Sequence, residues 1–103
     1  MNTFSKLLLV SGFLAIPAAA LASDVTPGEI EKLRAAGTIK SFDVLDGIAT
    51  GLHAGSTVKD ADLDLEKGRY VYQVELRDAQ GVEHEIDIDA STGEVLTNRV
   101  DND

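Results

Sequence analysis

Residues 68–96, GRYVYQVELRDAQGVEHEIDIDASTGEVL, decide the fold. Tyr70, Tyr72, Val74 and Leu76 alternate with Val71, Gln73, Glu75 and Arg77. After Asp78-Ala79-Gln80-Gly81 the alternation resumes, with Val82, His84, Ile86 and Ile88 set against Glu83, Glu85, Asp87 and Asp89. A period of two puts every second side chain on one face of a strand, so each run has an apolar face and a charged one. Asp78 suits the opening of a type I turn, and Gly81 the left-handed position of the bulge that follows it. Such a turn pairs Asp78 with Val82, and therefore Leu76 with His84, Val74 with Ile86 and Tyr72 with Ile88. Both apolar rows then share one face, and a slip of one residue would turn one row into water.

The same logic extends in both directions. Ala61, Leu63 and Leu65 alternate with Asp62, Asp64 and Glu66, and a two-residue turn at Lys67-Gly68 pairs Glu66 with Arg69 and Leu65 with Tyr70. Downstream, Ala90-Ser91-Thr92-Gly93 is a third turn, residues 95–100 a final short strand, and residues 101–103 a frayed end. Upstream of residue 57 the period becomes 3.6. Ser41 caps a helix whose stripe is Phe42, Leu45, Ile48, Ala49 and Leu52, with Asp43 and Asp46 near its positive end and His53 near its negative end. Gly47 and Gly51 are expected to let this helix approach the sheet closely. Before it, Thr26-Pro27-Gly28-Glu29 reads as a capping box with proline at the first helical position. The short helix it starts turns Ile30, Leu33 and Ala36 to one side and stops at Gly37. Residues 23–25 read as a loose lead-in. These elements predict an α+β domain, with one or two helices packed on one face of a three- to four-stranded antiparallel β-meander.

Residues 1–22 stand apart. Lys6 precedes the apolar runs Leu7-Leu8-Leu9-Val10 and Phe13-Leu14-Ala15-Ile16; Pro17 breaks the pattern, and Ala20 and Ala22 have the small-residue spacing of a cleavage site. This is the layout of a secretory signal. It predicts a signal peptide over 1–22, cleavage between Ala22 and Ser23, one domain over 23–103, and a periplasmic or secreted product with no membrane attachment. The alternative, an uncleaved anchor, is disfavoured because a span needs about 20 apolar residues. No Cys follows the run to carry a lipid.

The 103-residue chain has a formal charge of −9. The leader holds one basic residue, Lys6, and no acidic one, so the remainder sets eight basic side chains against eighteen acidic ones, a charge of −10. Such a surface repels nucleic-acid phosphates and anionic lipid. Basic proteins and cations are its electrostatic partners. The absence of Cys removes disulfides, a thiol nucleophile and thiolate metal sites.

No catalytic set emerges. Ser41, Ser56 and Ser91 stand in cap or turn contexts, none within G-x-S-x-G. His53 reads as an exposed residue at a helix end, and His84 as a half-buried residue beside a turn with one hydrogen bond. They have no zinc-ligand spacing. Asp87 and Asp89 share a face, but nothing nearby forms a pocket to raise a pKa. The sequence therefore predicts no catalytic residue, no cofactor and no metal ligand, and a protein that is not an enzyme. What is left is an acidic sheet face carrying Asp62, Asp64, Glu75, Glu83, Glu85, Asp87 and Asp89. The register sets Arg77 opposite Glu83, a favourable pair, and Glu75 opposite Glu85, an unfavourable one. This face reads as a solvated surface that discourages edge aggregation, or as a docking surface for a basic protein partner. A calcium site would need a ligand loop that is not present.

Taken in order, Gly68-Arg69-Tyr70-Val71-Tyr72-Gln73-Val74-Glu75-Leu76, then Asp78-Ala79-Gln80-Gly81, then Ile88-Asp89-Ala90-Ser91-Thr92-Gly93-Glu94-Val95-Leu96 resemble the PepSY domain. Upstream, Glu31-Lys32-Leu33-Arg34-Ala35-Ala36-Gly37-Thr38-Ile39 is similar to a segment that precedes the domain in small exported members. The resemblance runs from about residue 27 to residue 96. It implies a helix on a three- or four-stranded antiparallel sheet in an exported or envelope setting. It also implies a non-enzymatic binding or regulatory module, inhibiting or modulating a secreted or envelope peptidase. The alternative is a periplasmic accessory to a membrane sensor of a signal or cation. Because no peptidase sequence follows the domain, inhibition in cis is not expected of this chain, which leaves inhibition in trans. Nothing in the sequence indicates an oligomeric state.

Overall fold

A computed structural model describes residues 23–101. The expected leader, its cleavage site and residues 102–103 lie outside the described residues, except that Ser23 begins the first strand. The elements are β1 Ser23–Asp24, α1 Pro27–Ala35, α2 Phe42–Gly51, β2 Thr57–Glu66, β3 Arg69–Arg77, β4 Glu83–Asp89 and β5 Val95–Val100. The strands form one antiparallel sheet in the order β1-β2-β3-β4-β5. Two helices and a four-stranded meander are the α+β architecture expected, with one addition. Residues 23–25 are not loose: Ser23 pairs with Leu65, Asp24 with Asp64, and the Val25 amide donates to the Leu63 carbonyl at 3.0 Å.

Local chemistry sets the turns. Lys67 and Gly68 both have positive φ, 52° and 78°, as a two-residue hairpin whose twist matches its strands requires. Glu66 faces Arg69 and Leu65 faces Tyr70, as expected. In the next hairpin the Asp78 amide donates to the Val82 carbonyl at 2.9 Å, Gly81 takes φ 84°, and Leu76–His84, Val74–Ile86 and Tyr72–Ile88 are partners. Two bulges were not legible. One sets Lys59 outside the pairing, since Val58 faces Leu76 and Asp60 faces Glu75. The other sets Leu96 outside it, since Thr97 faces Asp87 and Val95 faces Ile88. An unpaired residue in one strand resets which face the following residues meet.

The helices cover one face of the sheet. Thr26 and Glu29 form the capping box of α1: the Glu29 amide donates to the Thr26 hydroxyl at 3.3 Å, and the Thr26 amide to Glu29 Oε1 at 3.2 Å. Gly37, at φ 74°, follows the helix, and the Thr38 amide closes its end on the Leu33 carbonyl at 2.9 Å. Ile30 and Leu33 pack against the core, whereas Ala36 is exposed and is no part of that face. In α2, capped by Ser41, Leu45 and Ala49 are buried and Phe42 and Ile48 partly so; Leu52, the C-cap, is 40% exposed and leaves the stripe. Gly47 and Gly51 serve no close approach, because a Cβ at either would meet nothing within 4 Å. Leu45, Val74, Leu76, Ile86 and Ile88 are the largest fully buried side chains. At about 1.5–3 kcal/mol for each such residue, they dominate the stability of this domain.

One polar tie joins helix to sheet. Tyr72, 3% exposed, donates its hydroxyl to Asp46 Oδ1 at 2.7 Å, and its ring lies 4.8 Å from that of Phe42. At the other end of α2, His53 stacks on His84 with ring centroids 3.9 Å apart. His53 is therefore a contact residue rather than a free helix end. His84 is buried and holds Asp78 Oδ2 through Nε2 at 2.8 Å, while His53 Nε2 meets Asn98 Oδ1 at 2.9 Å.

Candidate functional site

The outer face of the sheet, opposite the helices, gathers the chain's carboxylates into rows across the strands. Asp24, Asp64, Val71 and Asp89 form one row. Asp62, Gln73, Asp87 and Thr97 form the next, followed by Asp60, Glu75, Glu85 and Arg99. Arg77 and Glu83 follow, with Asp101 beside Glu83 through a backbone bond of 2.9 Å from the Asp101 amide to the Glu83 carbonyl. All seven acidic residues expected on this face are on it, because alternation and hairpin register together fix which way each side chain points.

Their surroundings differ more than their spacing suggests. Glu83 takes Lys59 Nζ at 2.6 Å and Arg77 at 2.8 Å, and these two cations hold its carboxyl below the usual carboxylate range. Lys59 reaches it because the bulge turns that residue outward. Glu85 takes Arg99 at 2.7 Å, which relieves its unfavourable position opposite Glu75. Asp89 is nearly buried; its Oδ1 accepts the amides of Ser91 at 2.8 Å and Thr92 at 3.1 Å, and Oδ2 lies 3.5 Å from Arg69 Nε. Asp89 thus anchors the last turn rather than presenting a free carboxylate.

The remaining four have no such cation. Glu75 hydrogen-bonds the Asp101 carboxyl, which pushes its pKa up, with Glu83 and Asp101 charges adding to the effect and Lys59 opposing it. Asp87 is raised by burial first and by the charges of Glu85 and Glu66 next, and its Oδ1 is buried with no hydrogen-bond partner. Asp64, 8% exposed, is pushed up to about 7, first by burial, then by a hydrogen bond to Asp24 and the charges of Asp24, Glu66 and Asp62. Asp62 is exposed. Asp60, Asp62, Gln73, Glu75, Glu85 and Asp101 line a shallow open depression on this face.

Asp101 is the residue missed by sequence reasoning, which left it in a frayed end. Continuing the alternate pairing of β5 by two residues, from Glu85–Arg99 to Glu83–Asp101, would have found it. Oxygens of Glu75, Glu83 and Asp101 lie within 4.8 Å of one another. Three carboxylates, one already holding two cations, fall short of the six or more oxygens calcium takes. Of the serines, Ser41 Oγ caps α2 by accepting the Val44 amide, and Ser56 Oγ is buried without a hydrogen-bond partner. Among the described residues no helix is long and apolar enough to cross a membrane.

Residues 48–98 match the family model described as "Peptidase propeptide and YPEB domain", PepSY. That interval runs from the C-terminal part of α2 into β5, as far as residue 98, and includes the acidic residues of the face except Asp24 and Asp101. A curated relative, "Uncharacterized protein YkoJ" of Bacillus subtilis (strain 168), is 36% identical over 47 residues, which is 46% of this chain and 28% of that protein. The chain thus spans little more than a quarter of that relative's length. No solved structure matches.

Proposed function

Residues 48–98 are a PepSY domain, and from that premise we propose that the protein is an exported, non-enzymatic binding module that modulates or inhibits a secreted or envelope peptidase. The observation that supports this reading most is the family itself, whose description pairs the domain with peptidase propeptides. A propeptide works by occupying a surface of its enzyme, and an open sheet face is suited to that role. The helices bury their apolar residues on the opposite face, in the core with Tyr72, Val74 and Ile86. The acidic rows therefore stand where a basic partner can reach them, and charges of one sign accelerate encounter with the other. The signal-like pattern of residues 1–22 supports export, with cleavage between Ala22 and Ser23 and release to the periplasm or exterior.

Protein recovered from the exported fraction is to be titrated into a panel of secreted and envelope peptidases while turnover is measured. Saturable inhibition or activation of a panel member is expected, weakening as salt rises. No effect and no complex with any of them would refute a peptidase role. Recovery of a membrane sensor from solubilised membranes instead would move the assignment to a sensory accessory.

A further inference from the structure

Asp64 is the one carboxylate of the outer face that is nine-tenths buried without a cation beside it. It is 8% exposed, and its Oδ1 has no hydrogen-bond partner. Its neighbours compound the problem, since Asp24, Asp62 and Glu66 are all acidic. Three other carboxylates of the face have a base within reach, Glu83 with Lys59 and Arg77, Glu85 with Arg99 and Asp89 with Arg69, whereas Glu75 and Asp87, which also have none, are less buried than Asp64. A buried polar atom without a partner is costly, and a buried carboxylate more so, hence rare without a compensating group.

The backbone places a compensating group at hand. The Val25 amide bonds the Leu63 carbonyl, so Val25 and Leu63 are a hydrogen-bonded pair. Antiparallel pairs alternate, so Asp24 and Asp64 are the close, non-bonded pair, with Cα atoms about 4.5 Å apart. Ser23 and Leu65 are again a hydrogen-bonded pair, in which the Ser23 nitrogen faces the Leu65 carbonyl. Ser23 is the next residue along the strand from that pair, a rise of about 3.4 Å between Cα positions. In an uncut chain its nitrogen is a neutral amide with one proton. A terminus at Ser23 would make it an ammonium with three, one for the Leu65 carbonyl and two for carboxylates.

We infer that cleavage between Ala22 and Ser23 creates the missing partner: the new α-ammonium of Ser23 docks against Asp64 and Asp24 and fastens β1 to the edge of the sheet. The inference rests on the export reading above. It makes β1 a strand whose attachment depends on processing. In the uncut chain the Asp64 carboxyl hydrogen-bonds Asp24, and in the cut chain an ion pair with the ammonium takes over. The site takes a primary ammonium presented on an extended chain end, and its ligand is the protein's own.

Protein collected from the exported fraction allows a specific test. Periodate oxidises an N-terminal serine to a glyoxylyl group and expels its nitrogen as ammonia. The only Met of the chain is Met1 and there is no Cys, so the exported form offers periodate no sulfur to attack. The Asp64 carboxyl is then titrated by carbon NMR before and after oxidation. An opposite charge at close range lowers a carboxyl pKa by about 1–3 units. Oxidation is therefore expected to raise the proton affinity of Asp64 about tenfold or more and to lower the melting temperature. In Asp64→Asn the same oxidation is expected to leave the melting temperature nearly unchanged. The docked amine should itself titrate above the ordinary α-amino range of about 7.7–8.0, a measurement that needs no variant. Identical Asp64 titrations in the two forms, or an amine that titrates in the ordinary range, would overturn the docking. A chain whose mass periodate leaves unchanged does not begin at Ser23, and that result overturns the cleavage reading instead.

Discussion

Replacing Tyr72 by Phe isolates the tie between helix and sheet, because it deletes one oxygen and leaves the ring. The ring stays 4.8 Å from Phe42 and keeps its buried surface. What is lost is the 2.7 Å hydrogen bond to Asp46 Oδ1. Burial, followed by that bond, pushes the Tyr72 hydroxyl well above its ordinary pKa, so it stays a protonated donor through the neutral range. A hydrogen bond to a charged acceptor contributes about 1.5–3 kcal/mol. Asp46 is only partly buried, so its carboxylate recovers water when the partner goes, and the lower end applies, about 1.5 kcal/mol. For a domain of this size each kcal/mol is worth about 4–8 °C, which gives a drop of about 6–12 °C in melting temperature. Thermal melts of wild type, Tyr72→Phe, Asp46→Ala and the double variant complete the cycle. If the bond is what matters, the two single losses overlap, with a coupling of about 1 kcal/mol. A drop of less than about 2 °C in Tyr72→Phe, or strictly additive losses, would refute the argument and leave Tyr72 as a packing residue only.

Two glycines should behave oppositely. Gly93 has φ 83°, and a Cβ there would lie 3.1 Å from Lys40 Cε and 3.2 Å from Ile48 Cδ1, so Gly93→Ala is expected to destabilise by about 1–3 kcal/mol in urea unfolding. Gly47 sits within α2 with nothing within 4 Å of its Cβ position, so Gly47→Ala is expected to stabilise by about 0.5–1 kcal/mol, and a loss there would contradict the open surroundings described. Asp78 bears on pH. Its pKa is lowered, first by the His84 bond and then by the Val82 amide, so its contribution is present above the unfolded carboxyl value of about 3.9 and fades as pH falls through the folded value. Asp78→Asn should therefore have a shallower acid limb than wild type in unfolding midpoints taken between about pH 5 and pH 2; parallel limbs would show that the carboxylate adds nothing.

The hairpins were legible because their information is local. Lys67-Gly68 and Asp78-Ala79-Gln80-Gly81 carry the backbone preferences of their turns, and once a turn fixes register every facing pair follows, including Glu75 with Glu85. What was not legible came from elsewhere in the chain. A two-residue strand has no period to detect, and Ser23-Asp24 is held by Leu65 and Asp64, some forty residues away. The bulge at Lys59 leaves no compositional mark, yet it turns that ammonium toward Glu83. Alternation assigned Asp64 and Asp89 to the outer face correctly but said nothing about crowding on it. His53 looked like a free helix end because the residue it stacks on, His84, belongs to a strand whose distance from α2 depends on the packing of the core.

This difference between facing outward and being available narrows what the acidic face can offer a partner. Glu83, Glu85 and Asp89 are already matched by arginine or lysine, so a basic residue arriving from another protein gains there only what it displaces. Asp64 lies at the β1 edge and answers to the chain's own end. The charge that reaches outward is centred on Asp60 and Asp62 of β2, beside Asp87 and the Glu75–Asp101 pair. Asp60→Asn with Asp62→Asn should thus slow association with a basic partner and flatten its salt dependence, whereas Glu83→Gln should chiefly unsettle Lys59 and Arg77. Association kinetics measured at low and at physiological salt separate the two outcomes. If Glu83→Gln slows binding while the aspartate pair does not, the partner reads the cations of this face rather than its carboxylates, and the polarity assigned to the interface is reversed.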